Sequence, residues 1–161
     1  MSAVALAPVA DGDIASLHAM LLALGQSDGV ADIRTTEVSL RAALARPSPL
    51  VVAHFILREG RVAGFTLHSW KWGTFTGVRD LYVNALYVLP AHRRAGVARR
   101  AMAALARLAV DQGCSCFEWL TVTAKADTAA FYDAIGSTAA GHMAVRRLQG
   151  QALAALAADP P

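Results

Sequence analysis

The residues best suited to chemistry form a short basic turn, Arg93-Arg94-Ala95-Gly96-Val97-Ala98, between a predicted strand and a predicted helix. A helix start leaves its first backbone N–H groups unpaired and carries about half a positive charge, so such a turn can cradle a pyrophosphate. The small residues Ala95, Gly96 and Ala98 would let phosphates approach the backbone, and the arginines could add charge-assisted hydrogen bonds. The alternative is a solvated basic helix start, because this short pattern is not specific by itself.

The basic charge of the chain is concentrated at the same turn. The formal net charge is +3 and the isoelectric point about 9.2, which could suit nucleic acid, a membrane surface or a polyanionic cofactor. Two arginine pairs, Arg93-Arg94 and Arg99-Arg100, lie close together next to His92, and a further pair is Arg146-Arg147. A nucleic-acid interface would need basic residues spread over a face. We therefore expect a small polyanion as the ligand, with no nucleic acid and no membrane as partner.

Length and composition predict one soluble domain that spans residues 1–161. Hydrophobic residues make up 55% of the chain and charged ones 17%, which excludes a disordered protein. No apolar run reaches the roughly 18 residues of a membrane span, and the apolar N-terminus lacks the basic flank of a secretory signal. Cys114 and Cys116 have no His or Cys partners at metal-binding spacing. We therefore expect reduced thiols, no metal and a cytoplasmic protein.

The elements that must position the turn alternate between strand and helix patterns. A strand and two helices come first, a hairpin and a long strand follow, and a helix, strand, helix, strand and terminal helix complete the chain. The predicted strands are 4–8, 49–57, 61–70, 78–88, 116–123 and 141–148, and the predicted helices are 14–24, one after Thr36, 96–112, 126–135 and 151–158. This order predicts an α/β protein with a mixed sheet flanked by helices.

The segment around the turn resembles the acetyl-CoA signature of the GNAT N-acetyltransferase family, in which an apolar strand end and a proline precede R/Q-x-x-G-x-G/A. The matching residues are Leu86-Tyr87-Val88-Leu89-Pro90-Ala91-His92-Arg93-Arg94-Ala95-Gly96-Val97-Ala98. Gly113–Leu120 is similar to the family strand that splays away from the long strand, and Thr128–Gly136 to its helix with x-x-F-Y-x-x-x-G. The resemblance covers roughly residues 4 to 147. Phe117-Glu118-Trp119 and Phe131-Tyr132 look most like the diamine or thialysine acetyltransferase branch.

The resemblance implies the GNAT acyl-CoA N-acyltransferase fold and transfer of an acetyl group from acetyl-CoA to a primary amine of a small molecule. It implies that Val88 N–H donates to the developing oxyanion and that Tyr132 is the general acid for the departing thiolate. The cofactor-binding residues implied in this way are Leu86, Tyr87, Val88, Arg93, Arg94, Ala95, Gly96, Val97, Ala98, Arg99, Lys125 and Phe131. Because the family usually pairs and residues 151–158 are largely apolar, we also expect a homodimer.

The general base is the point at which the chain departs from the diamine branch. A Glu stands nine residues before the signature Arg in that branch, whereas this chain has Asn84, which cannot take a proton. Strand alternation predicts that Asp80, Tyr82, Asn84 and Leu86 share one face. Asp80 would then lie about 13 Å from Asn84 and could act only through water. A bulge in this strand would change the facing.

His68, on the preceding strand, is the other candidate base, because imidazole titrates near neutral pH; its alternative is a packing or surface role. His54 and His142 rank below it. At Lys125 the family often has an Asn bound to the pantetheine, and the lysine could reach a phosphate or point to solvent. Asn84 and Lys125 leave a second interpretation open, a GNAT-like module that binds acyl-CoA with weak or no turnover.

The acceptor pocket is predicted from two sets of side chains. Carboxylates would bind a polyamine, and aromatic rings could stack on a cation. At least two of the aromatic residues could instead pack in the core or at a dimer contact. The carboxylates are Asp28, Asp32, Glu37 and Asp80, and the aromatic residues are Trp70, Trp72, Phe75 and Tyr82.

Overall fold

The computed structural model describes residues 3–45, 47–122, 124–141 and 143–158. The chain divides into two compact units, residues 1–124 and residues 125–161, which are described separately. Within the described ranges, no helix is long and apolar enough to cross a membrane.

The described residues of the first unit form a five-stranded sheet and three α-helices. The strands are β1 (Val4–Pro8), β2 (Val52–Arg58), β3 (Arg61–Trp72), β4 (Arg79–Val88) and β5 (Phe117–Trp119), and the helices are α1 (Ile14–Ser27), α2 (Glu37–Leu44) and α3 (Val97–Asp111). Thr36 begins α2 because its hydroxyl accepts from Ser39 N–H while Ser39 Oγ accepts from Thr36 N–H. The predicted α/β class with a mixed sheet is confirmed.

The strands follow one another across the sheet in chain order, β1-β2-β3-β4-β5. The first four are antiparallel, and β5 runs parallel to β4. The β4–β5 pairing is short, from Leu81 opposite Phe117 to Val83 opposite Trp119. The sequence predicts a longer fifth strand, through residue 123. The described residues 120–122 are not strand, so β4 extends well beyond the end of its neighbour.

Two apolar layers cover the two faces of the sheet. On one face, Leu17 of α1 and Leu40 of α2 belong to the core that contains Phe55 and Phe65. On the other face, α3 packs its buried side chains against β2 and β3. Full burial of a Leu or Phe side chain contributes about 2–3 kcal/mol, so these layers hold the end of β4 and the start of α3 at fixed positions.

A β-bulge in β4 changes which residues share a face. Leu67 pairs with Ala85 and His68 with Val83, so Asn84 is an extra residue without a partner in the ladder. Tyr82 pairs with Ser69 and Ala85 pairs with Leu67. Ser69 and Leu67 are two positions apart on β3 and so lie on the same face, and Tyr82 therefore shares a face with Ala85. The prediction that Asp80, Tyr82, Asn84 and Leu86 share one face is wrong, since Leu86 packs on the opposite side with α3.

The second unit contains two helices, α4 (Ala126–Ala134) and α5 (Gly150–Ala157). Gly136 follows α4 with a φ of 91°, as expected of a residue that ends a helix. The predicted last strand, 141–148, is not observed: residues 143–149 are neither helix nor strand and are exposed to solvent. The apolar alternation of Met143 and Val145 stops at Arg146-Arg147, too short a pattern to bury one face of a strand.

Candidate active site

The basic turn has a backbone conformation that can bind an anion. Residues 90–92 form a 3-10 turn, and Arg94 and Gly96 then adopt left-handed φ angles of 57° and 72° before α3 begins at Val97. Left-handed residues in such a turn direct successive N–H groups into a common concavity. The start of α3 adds its own unpaired donors and the positive end of its dipole.

The side chain of Arg100 is hydrogen-bonded to the backbone of the turn. Arg100 Nη1 donates to the Ala95 carbonyl oxygen over 3.0 Å, and a side chain on Gly96 would begin 3.4 Å from that nitrogen. A residue with a Cβ would also be strained at the left-handed φ of Gly96. Arg99, one position earlier on α3, is exposed.

The backbone of Val88 faces the open edge of β4. Leu89 N–H donates to the Ala63 carbonyl oxygen over 2.9 Å, which makes these two residues a hydrogen-bonded pair. In an antiparallel ladder the adjacent pair, Val88 and Gly64, then has its N–H and C=O groups directed away from the partner strand. Among the described residues, no strand pairs with β4 beyond Val83 on that side. The Val88 N–H is therefore directed into this opening, whereas the Val88 carbonyl oxygen accepts from Arg93 Nε.

Gly64 permits this strand end to lie close to β3. A Cβ at this position would overlap the Tyr87 carbonyl oxygen and lie 3.0 Å from Val88 Cα. Sequence reasoning missed Gly64, although an isolated glycine inside a strand pattern is a known sign of close backbone approach.

Arg93 contacts the same strand end. Its Nε donates to the Val88 carbonyl oxygen over 3.0 Å, and its guanidinium carbon lies 5.6 Å from the centroid of the Tyr87 ring. The side chain thus lies against β4, although the resemblance implies a contact with the cofactor.

Asp80 is buried and hydrogen-bonded. It is 5% exposed, and its carboxylate accepts from Ser115 Oγ over 2.7 Å. Ser115 Oγ also lies 3.1 Å from Thr76 Oγ1. Asp80 therefore joins the start of β4 to the segment that leads into β5. Asn84, the extra residue of the bulge, is exposed.

His68 is buried in the sheet and its pKa is low. It is 1% exposed, and its ring stacks on that of His54 with 5.4 Å between centroids. Burial, followed by the charge of His54, lowers the pKa of His68 from 6.5 to about 4, and burial also lowers the pKa of His54. An imidazole with such a pKa is neutral at pH 7 and a weak proton acceptor. His142 lies outside the described residues.

The predicted acceptor residues lie on separate elements. Trp70, Trp72 and Phe75 are on the β3–β4 hairpin, where Trp72 and Phe75 are largely exposed and Arg79 stacks over Trp70 with its guanidinium carbon 5.3 Å from the ring centroid. Tyr82 is half-buried on β4. The acidic residues lie elsewhere: Asp28 and Asp32 between α1 and α2, and Glu37 in the first turn of α2. Asp32 Oδ2 is paired with Arg34 Nε at 2.5 Å.

The second unit contains the remaining predicted site residues. Phe131 and Tyr132 are half-buried on α4, with ring centroids 5.1 Å apart. Lys125 immediately precedes that helix, and its carbonyl oxygen accepts from Thr128 N–H over 3.0 Å.

The two cysteines do not have the properties of nucleophiles. Burial raises the pKa of both Cys114 and Cys116, and the carboxylates of Glu118 and Asp80 raise the pKa of Cys116 further. Both are free thiols. Within the described ranges, no group of three or more His, Cys, Asp or Glu residues could hold a metal ion.

Comparison with known proteins agrees with the resemblance drawn from the turn. Residues 20–136 match the sequence model of the acetyltransferase (GNAT) family. Among similar proteins is the thialysine N-epsilon-acetyltransferase of Sus scrofa, 25% identical over an alignment of 169 positions, gaps included, which covers 98% of this chain and 99% of the relative. The predicted likeness to the thialysine branch is confirmed by this relative.

Solved structures show the same fold. An integron cassette protein from the mobile metagenome of V. cholerae has a TM-score of 0.80 at 19% identity, over 97% of this chain and 98% of that one. A ribosomal-protein-alanine N-acetyltransferase of Brucella melitensis biovar Abortus 2308 has a TM-score of 0.72 at 22% identity, over 91% of this chain and 100% of that one.

Proposed function

Because the chain belongs to the acetyltransferase (GNAT) family, and is thus an acetyltransferase that acts on an amine, we propose that acetyl-CoA is its donor and the primary amine of a small molecule its acceptor. The observation that carries the proposal is the turn before α3, where Arg94 and Gly96 adopt left-handed φ angles of 57° and 72° beside the open edge of β4. Backbone cradles of this kind are suited to a pyrophosphate, which supports the proposal.

Several groups of the chain would hold the donor. The N–H groups of the turn and the exposed Arg99 would bind the pyrophosphate. The outward-facing backbone groups of Leu86 would pair with the pantetheine amides, as a strand would, and the Val88 N–H would face the acetyl end of the donor. The proposed pyrophosphate donors are the backbone of Arg94, Ala95, Gly96, Val97 and Ala98. Lys125 and Phe131 stay predicted contacts of the cofactor.

Two groups would act on the reacting atoms. Acetyl-CoA supplies a thioester, at which the amine nitrogen forms a C–N bond as the C–S bond breaks. Val88 N–H would donate to the carbonyl oxygen as negative charge develops there. Tyr132 would donate its phenolic proton to the departing sulfur. The attacking nitrogen would lose one proton as it becomes the amide, and the tyrosinate would recover a proton through solvent.

The ammonium proton of the acceptor would leave to water. Asn84 cannot accept it, Asp80 is buried against Ser115, and His68 is buried with a pKa of about 4. We therefore expect kcat/KM to rise with pH until the acceptor amine is neutral. Asn84→Glu should raise the rate near pH 7, with Asn84→Gln as the matched control. A rate that is independent of pH below the pKa of the amine would contradict this step.

Release of free CoA thiol with a panel of primary amines, thialysine included, tests the activity. Tyr132→Phe should bind acetyl-CoA normally and lower kcat by about a hundredfold. Gly96→Val should weaken acetyl-CoA binding at least tenfold, because a β-branched residue is strained at left-handed φ. A Tyr132→Phe variant with full kcat would remove Tyr132 from the mechanism.

A catalytically weak acyl-CoA-binding module is the second candidate, favoured by Asn84 at the bulge. It predicts that the chain binds acetyl-CoA tightly, that Gly96→Val abolishes the binding, and that no amine stimulates CoA release. Turnover with any amine of the panel would eliminate it.

We propose a homodimer, supported by the exposed leucines Leu153 and Leu156 on α5. Sedimentation equilibrium should give twice the monomer mass, and Leu153→Ser with Leu156→Ser should return the monomer. A native chain that sediments as a monomer at high concentration would contradict the proposal.

A further inference from the structure

Arg93 clamps the peptide group at the end of β4. The Val88–Leu89 peptide is held on one side by Leu89 N–H, which donates to the Ala63 carbonyl oxygen over 2.9 Å. On its other side, the Val88 carbonyl accepts from Arg93 Nε over 3.0 Å. Because a peptide group is planar, two hydrogen bonds on opposite edges fix its rotation. The Val88 N–H belongs to the preceding peptide group, which meets the clamped one at the Val88 Cα, so the clamp limits how far that N–H can turn about the Val88 torsion angles.

The chain returns Arg93 to this place through a short reversal. Residues 90–92 form a 3-10 turn, so Arg93 follows the strand end by five residues and still reaches it. The ring of Tyr87, which is 7% exposed and belongs to the core, lies under the guanidinium. The side chain is thus held by a polar contact and a cation–π contact to two consecutive residues of β4.

We propose that Arg93 is a positioning residue that orients the backbone of Val88, and not a ligand of the pyrophosphate. The inference rests on the proposed function, in which Val88 N–H donates to the acetyl oxygen. The observation behind this assignment is that Arg93 commits Nε to the Val88 carbonyl oxygen and holds its guanidinium over the Tyr87 ring. A misdirected donor at the reacting carbonyl would lower kcat more than it raises KM.

Three substitutions separate the clamp from a charge effect. Arg93→Gln places an amide nitrogen as many bonds from Cα as the arginine Nε, so it keeps a donor and loses the charge. Arg93→Lys keeps the charge but has a carbon at that place. Arg93→Met has a carbon there and no charge. Arg99→Gln is the matched control, because it removes one positive charge from the first turn of α3.

We expect Arg93→Gln to keep kcat within about threefold, and Arg93→Lys and Arg93→Met to lose about 10- to 100-fold in kcat. Arg99→Gln should raise KM for acetyl-CoA with kcat unchanged. A phosphate ligand predicts the reverse order at position 93: the lysine variant near normal, and the glutamine and methionine variants equally raised in KM. That order, or equal kcat in all three variants, would overturn the inference.

Hydrogen exchange of the Leu89 amide provides a readout that needs no turnover. It should be faster in Arg93→Lys and Arg93→Met than in the native chain and unchanged in Arg93→Gln, with equal urea midpoints showing that global stability is not the cause. If the Leu89 exchange rates change in this way but the chain acetylates no amine, then the clamp is present and the proposed activity is wrong. Equal Leu89 exchange in all variants would overturn the clamp itself.

Discussion

Replacement of His68 by leucine should remove much of the acid sensitivity of the folded protein. His68 is 1% exposed, and its pKa falls from 6.5 in the unfolded chain to about 4 in the folded protein. Between these values the unfolded chain binds more protons, so the free energy of unfolding decreases as the pH falls. The stability associated with neutral His68 is complete above about pH 6.5 and is lost as the pH falls toward 4.

The magnitude follows from the two pKa values. A shift of this size corresponds to about 3 kcal/mol when the pH has fallen below both values, and to about 2 kcal/mol at pH 5. We therefore expect the stability difference between the native chain and His68→Leu to change by about 2 kcal/mol between pH 7.5 and pH 5, in favour of the variant at low pH. Urea unfolding at each pH measures this difference.

Thr66→Val is the matched control. Thr66 is fully buried on the same face of β3, and within the described residues its Oγ1 has no hydrogen-bond partner. Removal of this hydroxyl should leave stability unchanged or slightly higher, with the pH dependence of the native chain. A stability difference between His68→Leu and the native chain that is the same at both pH values would refute the reasoning.

Three further changes test how the site is supported. Gly64→Ala should lower the free energy of unfolding by about 3 kcal/mol, measured by urea denaturation, because the added Cβ would overlap a carbonyl oxygen of β4. Normal stability would mean that β3 and β4 move apart at this position at little cost. Asp80→Asn should lower the free energy of unfolding by about 1–3 kcal/mol, because Ser115 loses a charged acceptor. Its kcat should stay within about threefold of the native value, and a hundredfold loss of kcat would identify Asp80 as the base. Lys71 forms an ion pair with Glu118 near the protein surface. Lys71→Met should therefore change stability by less than about 1 kcal/mol, and a larger loss would show that the pair is structural.

The sequence predicts the fold and the basic turn before α3 well because both depend on local rules. The helix predicted over 96–112 is observed as Val97–Asp111, and the hairpin and the long strand lie where their apolar patterns place them. From the sequence, a small residue is expected at position 96 so that phosphates can approach, and the observed φ of 72° gives glycine a second reason there. The sixth strand is the exception, since its pattern is interrupted by Arg146-Arg147 before it extends over a full strand.

The facing of the side chains along β4 could not be predicted because it depends on how distant segments pair. Alternation along β4 places Leu86 with Asp80, but the partner residues on β3 make Asn84 an extra residue and turn Leu86 to the opposite face. A single extra residue in a strand reverses every side chain beyond it. Residue type alone carries no signal for such a bulge.

The sequence by itself therefore determines the turn, the helix that follows it and the family, since these follow from residue types at short spacing. Only the tertiary structure decides what each polar group does. It buries His68, joins Asp80 to Ser115 and places Arg93 on the Val88 carbonyl. Burial lowers a pKa and a hydrogen bond commits a donor, and both depend on neighbours brought together by folding.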